Sequence, residues 1–554
     1  MYEKRWLRKK FLVTAAATLT GVTLIFFTIL GLMLEPMLKK RLHSLIIDGS
    51  DSLYQYSLGS FHANLFGANV SLKDFKLWVD SARYQQMLSE HSLPAVTMHL
   101  DIKLGQVKGI SLLALLGGNK LKIQTINSEE GQITLARHYA KSDTVEGKKR
   151  PFWKSIRSSM NGLTVDKISL ENIHFAYWDL GLDDARFEFK RCDAELQDIR
   201  IDSALLADTT RLGYLGGFSL RLQGLDYLTA DSVYKLGIGT IEYTTTNRQL
   251  DIHRFHLQPS DSYARLAMLD TVGKTYFTLK TENIRFKDMR LEQFINANTI
   301  RAESMVIKSP QVNMYIDRSI PKDLRTKVGR YPHQLLERAP LSLLINNLVL
   351  DNMQMLYTEK SGRTEKEGQI DLQDITLRAE NVTNIPEAKK INPYCTITAD
   401  GKILGSPITT RFKLYLDSAN GRFDADGSIK NITAAQLNPI AENLASMRLN
   451  SLNIQEVSFS LKGNDFKGVG AVRMLYDGLN VDVLKRDEKT GDVETNKFLT
   501  KLLNRYMAYP SNHVAGAPER VAANAAADRL LWQSFFGLIW KTIFLGMQNI
   551  ILKS

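Results

Sequence analysis

Along most of this sequence apolar and polar residues alternate one by one. A period of two restricts a chain to β-sheet with one apolar face and one wet face. In the segment RFKLYLD, Phe412, Leu414 and Leu416 face one way, and Arg411, Lys413, Tyr415 and Asp417 face the other. Phe218, Leu220 and Leu222 alternate with Ser219, Arg221 and Gln223, and Val457, Phe459 and Leu461 alternate with Ser458, Ser460 and Lys462. Such alternation belongs to antiparallel sheet, since parallel sheet covered on both faces reads as continuous apolar runs. About 25 segments of this kind follow one another, bounded by Gly, Asn, Asp and Ser turns. Stacked at ~4.8 Å per strand, they would extend on the order of 120 Å. An open sheet of that size must curl or split. The expected fold is therefore mainly β with short helices. Either it is one elongated, curled antiparallel sheet with an apolar groove, or it is a set of tandem β-sandwiches whose apolar faces pack together.

The chain also resembles itself. VDKISLENIHFAY and INNLVLDNMQMLY align without a gap, pairing Val165 with Ile345, Ile168 with Leu348, Leu170 with Leu350, Asn172 with Asn352, Phe175 with Met355 and Tyr177 with Tyr357. Looser copies lie at 121–135, 305–316 and 449–461. Each reads as strand, short polar turn, strand. A unit of that size cannot bury its apolar face alone, so repeats have to stack. Short helical patches are expected at 106–116, 287–296 and 436–447. The basic, proline-punctuated stretch 318–340 reads as a loop with a helical turn.

The two ends differ from this body. Residues 11–34, FLVTAAATLTGVTLIFFTILGLML, carry no charge. At ~1.5 Å per residue they reach about 36 Å, enough to cross a ~30 Å hydrocarbon layer. The run is too long for the core of a cleaved signal peptide and reads as a transmembrane signal anchor. More Lys and Arg precede it (residues 1–10, a basic leader) than follow it at Lys39, Lys40 and Arg41. The positive-inside rule then puts the N-terminus in the cytoplasm and the body outside it. At the other end, 496–509 and 529–552 have helical spacing. The second is strongly apolar, interrupted by Gln533, Lys541 and Gln548, with Trp532 and Trp540 of the kind found at headgroup level. It reads as a helix lying in a membrane interface or docked on the mouth of the groove; a spanning helix or an ordinary core helix are the alternatives. The domain reading is 1–10 leader, 11–34 anchor, 35–490 β-groove and 491–554 helical, membrane-interacting tail.

Composition limits the function classes. Charged residues are 23% and hydrophobic ones 44%, so the body is not disordered. Two cysteines, Cys192 and Cys395, are too few for a disulfide-stapled fold and read as buried thiols, with one bridge as the alternative. The net charge of +12 suits an anionic membrane surface as well as simple solubility. With the body outside the cytoplasm, nucleic acid is not expected as a partner. His253 and His256 form an HxxH, but on a strand they point to opposite faces and make no joint metal site. Asp424 and Asp426 before Gly427 lack the bidentate Glu of a calcium loop and read as a hairpin turn. Gly468 and Gly470 lack the strand–turn–helix context of a nucleotide loop. No nucleophile–base pair emerges. The chain is read as a non-enzyme, with no catalytic, metal or cofactor residue.

Three stretches carry a family resemblance: FHANLFGANVSLKDFKLWVD at 61–80, LPAVTMHLDIKLGQVKGISLLALLGGNKLKIQTINSEEGQITL at 93–135, and the 436–485 stretch ending in Gly468, Gly470, Tyr476 and Leu479. Together with the anchor and the tail they resemble the AsmA-like branch of the AsmA/TamB superfamily of bacterial envelope proteins. The resemblance implies a repeating β-groove held at the inner membrane and projecting into the periplasm. It implies transfer of phospholipid, in support of outer-membrane lipid homeostasis. Acyl chains would line Phe218, Leu220, Leu222, Phe412, Leu414, Leu416, Val457, Phe459 and Leu461, while Lys39, Lys40, Arg41, Trp532 and Trp540 would meet membrane headgroups. No cofactor is needed for passive sliding. The alternative is a non-catalytic envelope assembly scaffold that binds a protein partner.

Overall fold

The structure, a computed structural model, describes residues 35–40, 42–64, 68–94, 96–111, 120–138, 162–180, 185–201, 215–486, 493–512, 516 and 518–553. The chain is mainly β, with 60% strand and 19% helix. It divides into two compact units, Met1–Ala230 with Thr240–Thr246, and Asp231–Gly239 with Asn247–Ser554. The expected anchor at 11–34 and Arg41 lie outside the described residues. Among the described residues no helix is long and apolar enough to cross a membrane.

In the first unit β1 (Tyr54–Asn64), β2 (Asn69–Val79), the helix α1 (Ser81–Ser89), β3 (Val96–Lys108), β4 (Lys120–Arg137), β5 (Gly162–Asp179), β6 (Ala185–Ile201) and β7 (Gly217–Leu228) follow in order. Each strand pairs with the next, giving one unbroken ladder. β8 (Tyr234–Thr244) is divided between the units.

The second unit continues with β9 (Gln249–Pro259), α2 (Tyr263–Leu269), β10 (Thr275–Lys287), α3 (Leu291–Ala297), β11 (Thr299–Lys308), β12 (Gln311–Asp317), α4 (Pro332–Glu337), β13 (Ser342–Lys360) and β14 (Glu367–Thr383). Then come α5 (Pro386–Ile391), β15 (Tyr394–Ile403), β16 (Ser406–Tyr415), β17 (Phe423–Thr433), α6 (Ala434–Ile440), β18 (Met447–Gly463) and β19 (Lys467–Arg486). The chain closes with β20 (Val493–Thr495), α7 (Lys497–Leu502), β21 (Val521–Asp528) and α8 (Phe535–Ile551). From β9 to β19 and β21 this too is one continuous ladder, a long curled sheet. Right-handed strand twist accumulates over so many strands and enforces the curl.

Several sequence expectations need correction. The sheet is antiparallel except where β4 pairs β5, and β11 and β12 pair β13, in parallel. Parallel neighbours need a crossover of about a dozen residues or more; 318–341 supply it between β12 and β13, and 139–161, between β4 and β5, lie outside the described residues. The repeat is strand–turn–strand at 305–316, where β11 and β12 flank the turn, but not in its two best-matched copies. Val165 to Tyr177 lies within the single strand β5, and Ile345 to Tyr357 within β13. The polar residues between their halves form β-bulges, with Asn172 at φ 55 and Asn352 at φ 56. Asn tolerates the left-handed region, and one such residue kinks a strand without reversing it. Residues 106–108 belong to β3 rather than to a helix; 112–119 lie outside the described residues. Asp424 and Asp426 are inside β17, so the hairpin turn lies before them. The alanine-rich stretch of the tail is a strand, β21, paired with β19, so the tail is not wholly helical. Helices do occupy 434–440, 497–502 and 535–551 as expected, and α4 is the turn within the basic loop.

The resemblance of the chain to itself extends further than the aligned motifs. β1 and β8 start 180 positions apart (54 to 234), as do β2 and β9 (69 to 249) and β5 and β13 (162 to 342). Left-handed residues recur at the same interval: Ser52 and Ser232, Ala68 and Arg248, Asp74 and Arg254. A short helix follows β2 and β9 alike, capped by Asp80 in one case and Ser262 in the other.

Candidate functional site

Strand register builds the apolar face of the first unit row by row. One row reads Tyr56, Leu77, Leu100, Ile133, Phe175, Phe189 and Leu225, each directly opposite the next from β1 to β7. A second reads Leu58, Phe75, Ile102, Gly131, Ile173, Cys192 and Leu222. A third reads Ala63, Val70, Val107, Ile126, Ile168, Leu196 and Phe218. Ala194 faces Leu220 between them. Thus two of the three expected lining residues of β7, Phe218 and Leu222, each end a row of apolar neighbours, whereas the row that ends in Leu220 passes through Ser128. At ~4.8 Å between strands a seven-strand row runs about 29 Å. Leu222 is buried, whereas Phe218, Leu220, Leu100, Ile133 and Phe175 are half-buried.

Several ion pairs lie on the other face of the same strands, whereas Arg137 and Asp179, 3.5 Å apart, share the apolar face beyond Leu135 and Tyr177. Lys76 pairs Asp101 at 3.2 Å, Lys167 pairs Glu195 at 2.5 Å and Arg191 pairs Asp193 at 2.8 Å. These are surface pairs of small energetic weight. Their value is positional, because a one-residue slip would bring them onto the apolar face.

In the second unit one row crosses eleven strands: Leu250, Phe286, Met305, Leu348, Ala379, Ile397, Phe412, Ala425, Leu461, Gly470 and Ala525. Bulky side chains dominate its first half, and small ones prevail towards β21. There α8 fills the space. Its Phe535, Leu538, Ile539, Ile543 and Ile550 join one cluster with Leu414, Leu416, Val457, Phe459 and Leu461. A Cβ on Gly468 would meet Thr542 Oγ1 at 2.6 Å, and one on Gly546 would meet Val472 at 2.5 Å, so glycine at both places permits the close approach. Five expected lining residues are therefore buried core in the cluster that α8 joins. Phe412 is half-buried with its ring 6.0 Å from that of Phe535. Gly470 permits close strand pairing, its missing Cβ lying against Ser460, while Tyr476 is fully buried and donates to Tyr509 O at 2.9 Å.

A polar clasp fixes the start of α8. Arg529 and Asp465 pair at 2.6 Å with side chains 1% and 3% exposed. Arg529 also donates to Lys327 O and Gln533 O, and its guanidinium lies 4.2 Å from the centre of the Tyr331 ring. Asp465 accepts from Gly329 N at 3.1 Å and Gln334 Nε2 at 2.6 Å. Burial pushes the Tyr331 hydroxyl up to about 12 and the neighbouring His333 down to about 4. Both ring nitrogens of His333 are buried without a partner. The sequence reading missed this group. Its members come from three distant segments and carry no spacing signal, and the basic stretch that holds Tyr331 and His333 read only as a loop with a helical turn.

The remaining candidates fall separately. Lys39 pairs Glu35 at 2.7 Å and lies over the Phe61 ring, and Lys40 is exposed. Trp532 is half-buried with Lys322 over its ring; Trp540 is exposed. His253 lies 3.3 Å from Asn283 Nδ2, while His256 packs on Gly237, so the two have separate surroundings. Among the described residues no cluster of His, Cys, Asp or Glu could hold a metal ion. Cys192 and Cys395 are free and buried, and desolvation raises their thiols to about 12 and about 11.

No protein-family model matches this sequence, and comparison with curated proteins finds no match.

Proposed function

We propose that this protein is a lipid-binding and lipid-transfer protein of the bacterial envelope, anchored in the inner membrane by residues 11–34 with its body in the periplasm. The observation that carries this reading is the unbroken apolar rows. Seven strands in the first unit present matched apolar side chains to one side, with ion pairs such as Lys76–Asp101 and Lys167–Glu195 on the other. Acyl chains would lie on that face with headgroups at its wet border. Each sheltered CH₂ contributes about 0.8 kcal/mol, so a continuous lining lowers the barrier to carrying a chain through water. Passive sliding requires no cofactor and no catalytic group. The phospholipid class and the support of outer-membrane lipid homeostasis follow from the AsmA-like resemblance. The test is mass spectrometry of lipid that remains with the full chain purified in mild detergent. Enrichment of diacyl lipid over a control carrying only residues 1–40 supports the reading; equal lipid in both refutes it and favours a scaffold that binds a protein partner.

A further inference from the structure

The side of α8 turned away from the sheet is not polar. Phe536, Trp540 and Phe544 recur at intervals of four, so they form one stripe along the helix. They are 64%, 58% and 44% exposed. The apolar exposure continues past both ends of α8, with Leu531 before it and Met507 beside its C-terminus, where Lys553 N donates to Met507 O at 2.8 Å. Exposed apolar patches of this kind mark an interaction surface.

The charges around the stripe narrow the partner. Lys541 reaches the Asp528 carbonyl at 2.8 Å, and Lys553 reaches the Arg505 carbonyl at 3.0 Å, so both cations are held by neutral oxygens. Lys501 and Arg505 are exposed on the neighbouring segment. Between 497 and 553 the acidic residues are Glu519, which is ion-paired to Arg473 at 2.6 Å, and Asp528. A second copy would bring the same cations against these. An anionic bilayer answers both features, with aromatic side chains entering the headgroup boundary and Lys and Arg meeting lipid phosphates.

We propose that the outward side of α8, rimmed by Lys501, Arg505, Lys541 and Lys553, docks on the surface of an anionic lipid bilayer. In this arrangement the helix has two apolar sides with separate tasks. Leu538, Ile543 and Ile550 hold it to the sheet, and Phe536, Trp540 and Phe544 enter the lipid. The proposal rests on exposure and charge at α8, and does not need the apolar rows to carry lipid.

The experiment uses the full chain in nanodiscs of neutral phosphatidylcholine, with an environment-sensitive fluorophore on Phe544→Cys. Cys192 and Cys395 are buried and stay unlabelled in the folded protein. Acceptor vesicles contain phosphatidylglycerol and a lipid-borne quencher. Docking predicts a blue shift with quenching by these vesicles. Adding Phe536→Ser with Trp540→Ser should weaken vesicle affinity at least about a hundredfold, from two large apolar side chains withdrawn from lipid. Replacing the four rim cations with Gln leaves the apolar stripe intact, and should weaken affinity about fivefold per charge. Three results overturn the proposal. They are no spectral change with acceptor vesicles, an equal change with purely phosphatidylcholine vesicles, and a change that follows protein concentration without vesicles, which marks a second copy as the occupant.

Discussion

Replacing Arg529 with Met tests how the C-terminal helix is held. Arg529 and Asp465 are almost wholly buried and lie 2.6 Å apart. Removing one partner of a buried pair costs about 3–5 kcal/mol, chiefly because the other charge is left desolvated. Here Asp465 would keep Gly329 N and Gln334 Nε2 as donors, which sets the cost near the lower bound, about 3 kcal/mol. The clasp joins the 327–334 segment, the β18–β19 turn and the start of α8, so the loss falls on local opening of that region. At 1.4 kcal/mol per factor of ten, protection of the α8 amides against hydrogen exchange should fall about a hundredfold. The assay is hydrogen-exchange mass spectrometry on the full chain, with α5 as an internal control. Replacing both partners with apolar residues, Arg529→Met with Asp465→Leu, should recover much of the protection, because no charge is then stranded. A fall of less than about threefold in the single variant, with 538–550 still as protected as before, would refute the reasoning.

Other consequences follow from the same geometry. Gly468→Ala should loosen α8 by about 1–3 kcal/mol, since the new methyl overlaps Thr542 Oγ1; adding Thr542→Ala should restore part of it, both read by exchange of the helix amides. Burial holds the His333 pKa near 4, below its ordinary 6.5. Its contribution to stability is therefore complete above pH 6.5 and is lost as pH falls from 6.5 towards 4, by up to about 3 kcal/mol. His333→Leu should flatten that slope in exchange protection of the α4 region, corrected for intrinsic rates. Cys192 and Cys395, buried with raised thiols, should resist iodoacetamide at pH 8 in the folded chain and react once it is unfolded, as read by intact mass.

The alternation of apolar and polar residues made the sheet legible, because a single period decides both secondary structure and which face is wet. Phe218 and Leu222 were placed correctly on an apolar face by that pattern alone. It could not separate a lining residue from a core residue. Leu414 and Phe459 alternate just as Phe218 does, yet they are buried in one cluster with residues of α8. What distinguishes them is a helix far along the chain. The bulges escaped notice for a related reason: Glu171 and Asn172 look like a turn, and only the continued register of β5 shows them as a kink within one strand. The strand β21 was hidden because alanine has little preference for sheet. Its small side chains are explained by the helix that packs on them. The clasp had no local signature at all, since Arg529 and Asp465 are individually ordinary charged residues.

The central claim is that the apolar rows meet acyl chains, and one crosslinking comparison addresses it directly. A photoreactive phenylalanine analogue at Phe175 or Leu100, on the apolar face of the first unit and half-buried, is compared with the same residue at Lys76 on the opposite face, where it pairs Asp101. After irradiation of the full chain with bound phospholipid, the account predicts lipid adducts by mass at Phe175 and Leu100 and none at Lys76. Adducts at all three positions alike, or at none of them, would contradict it.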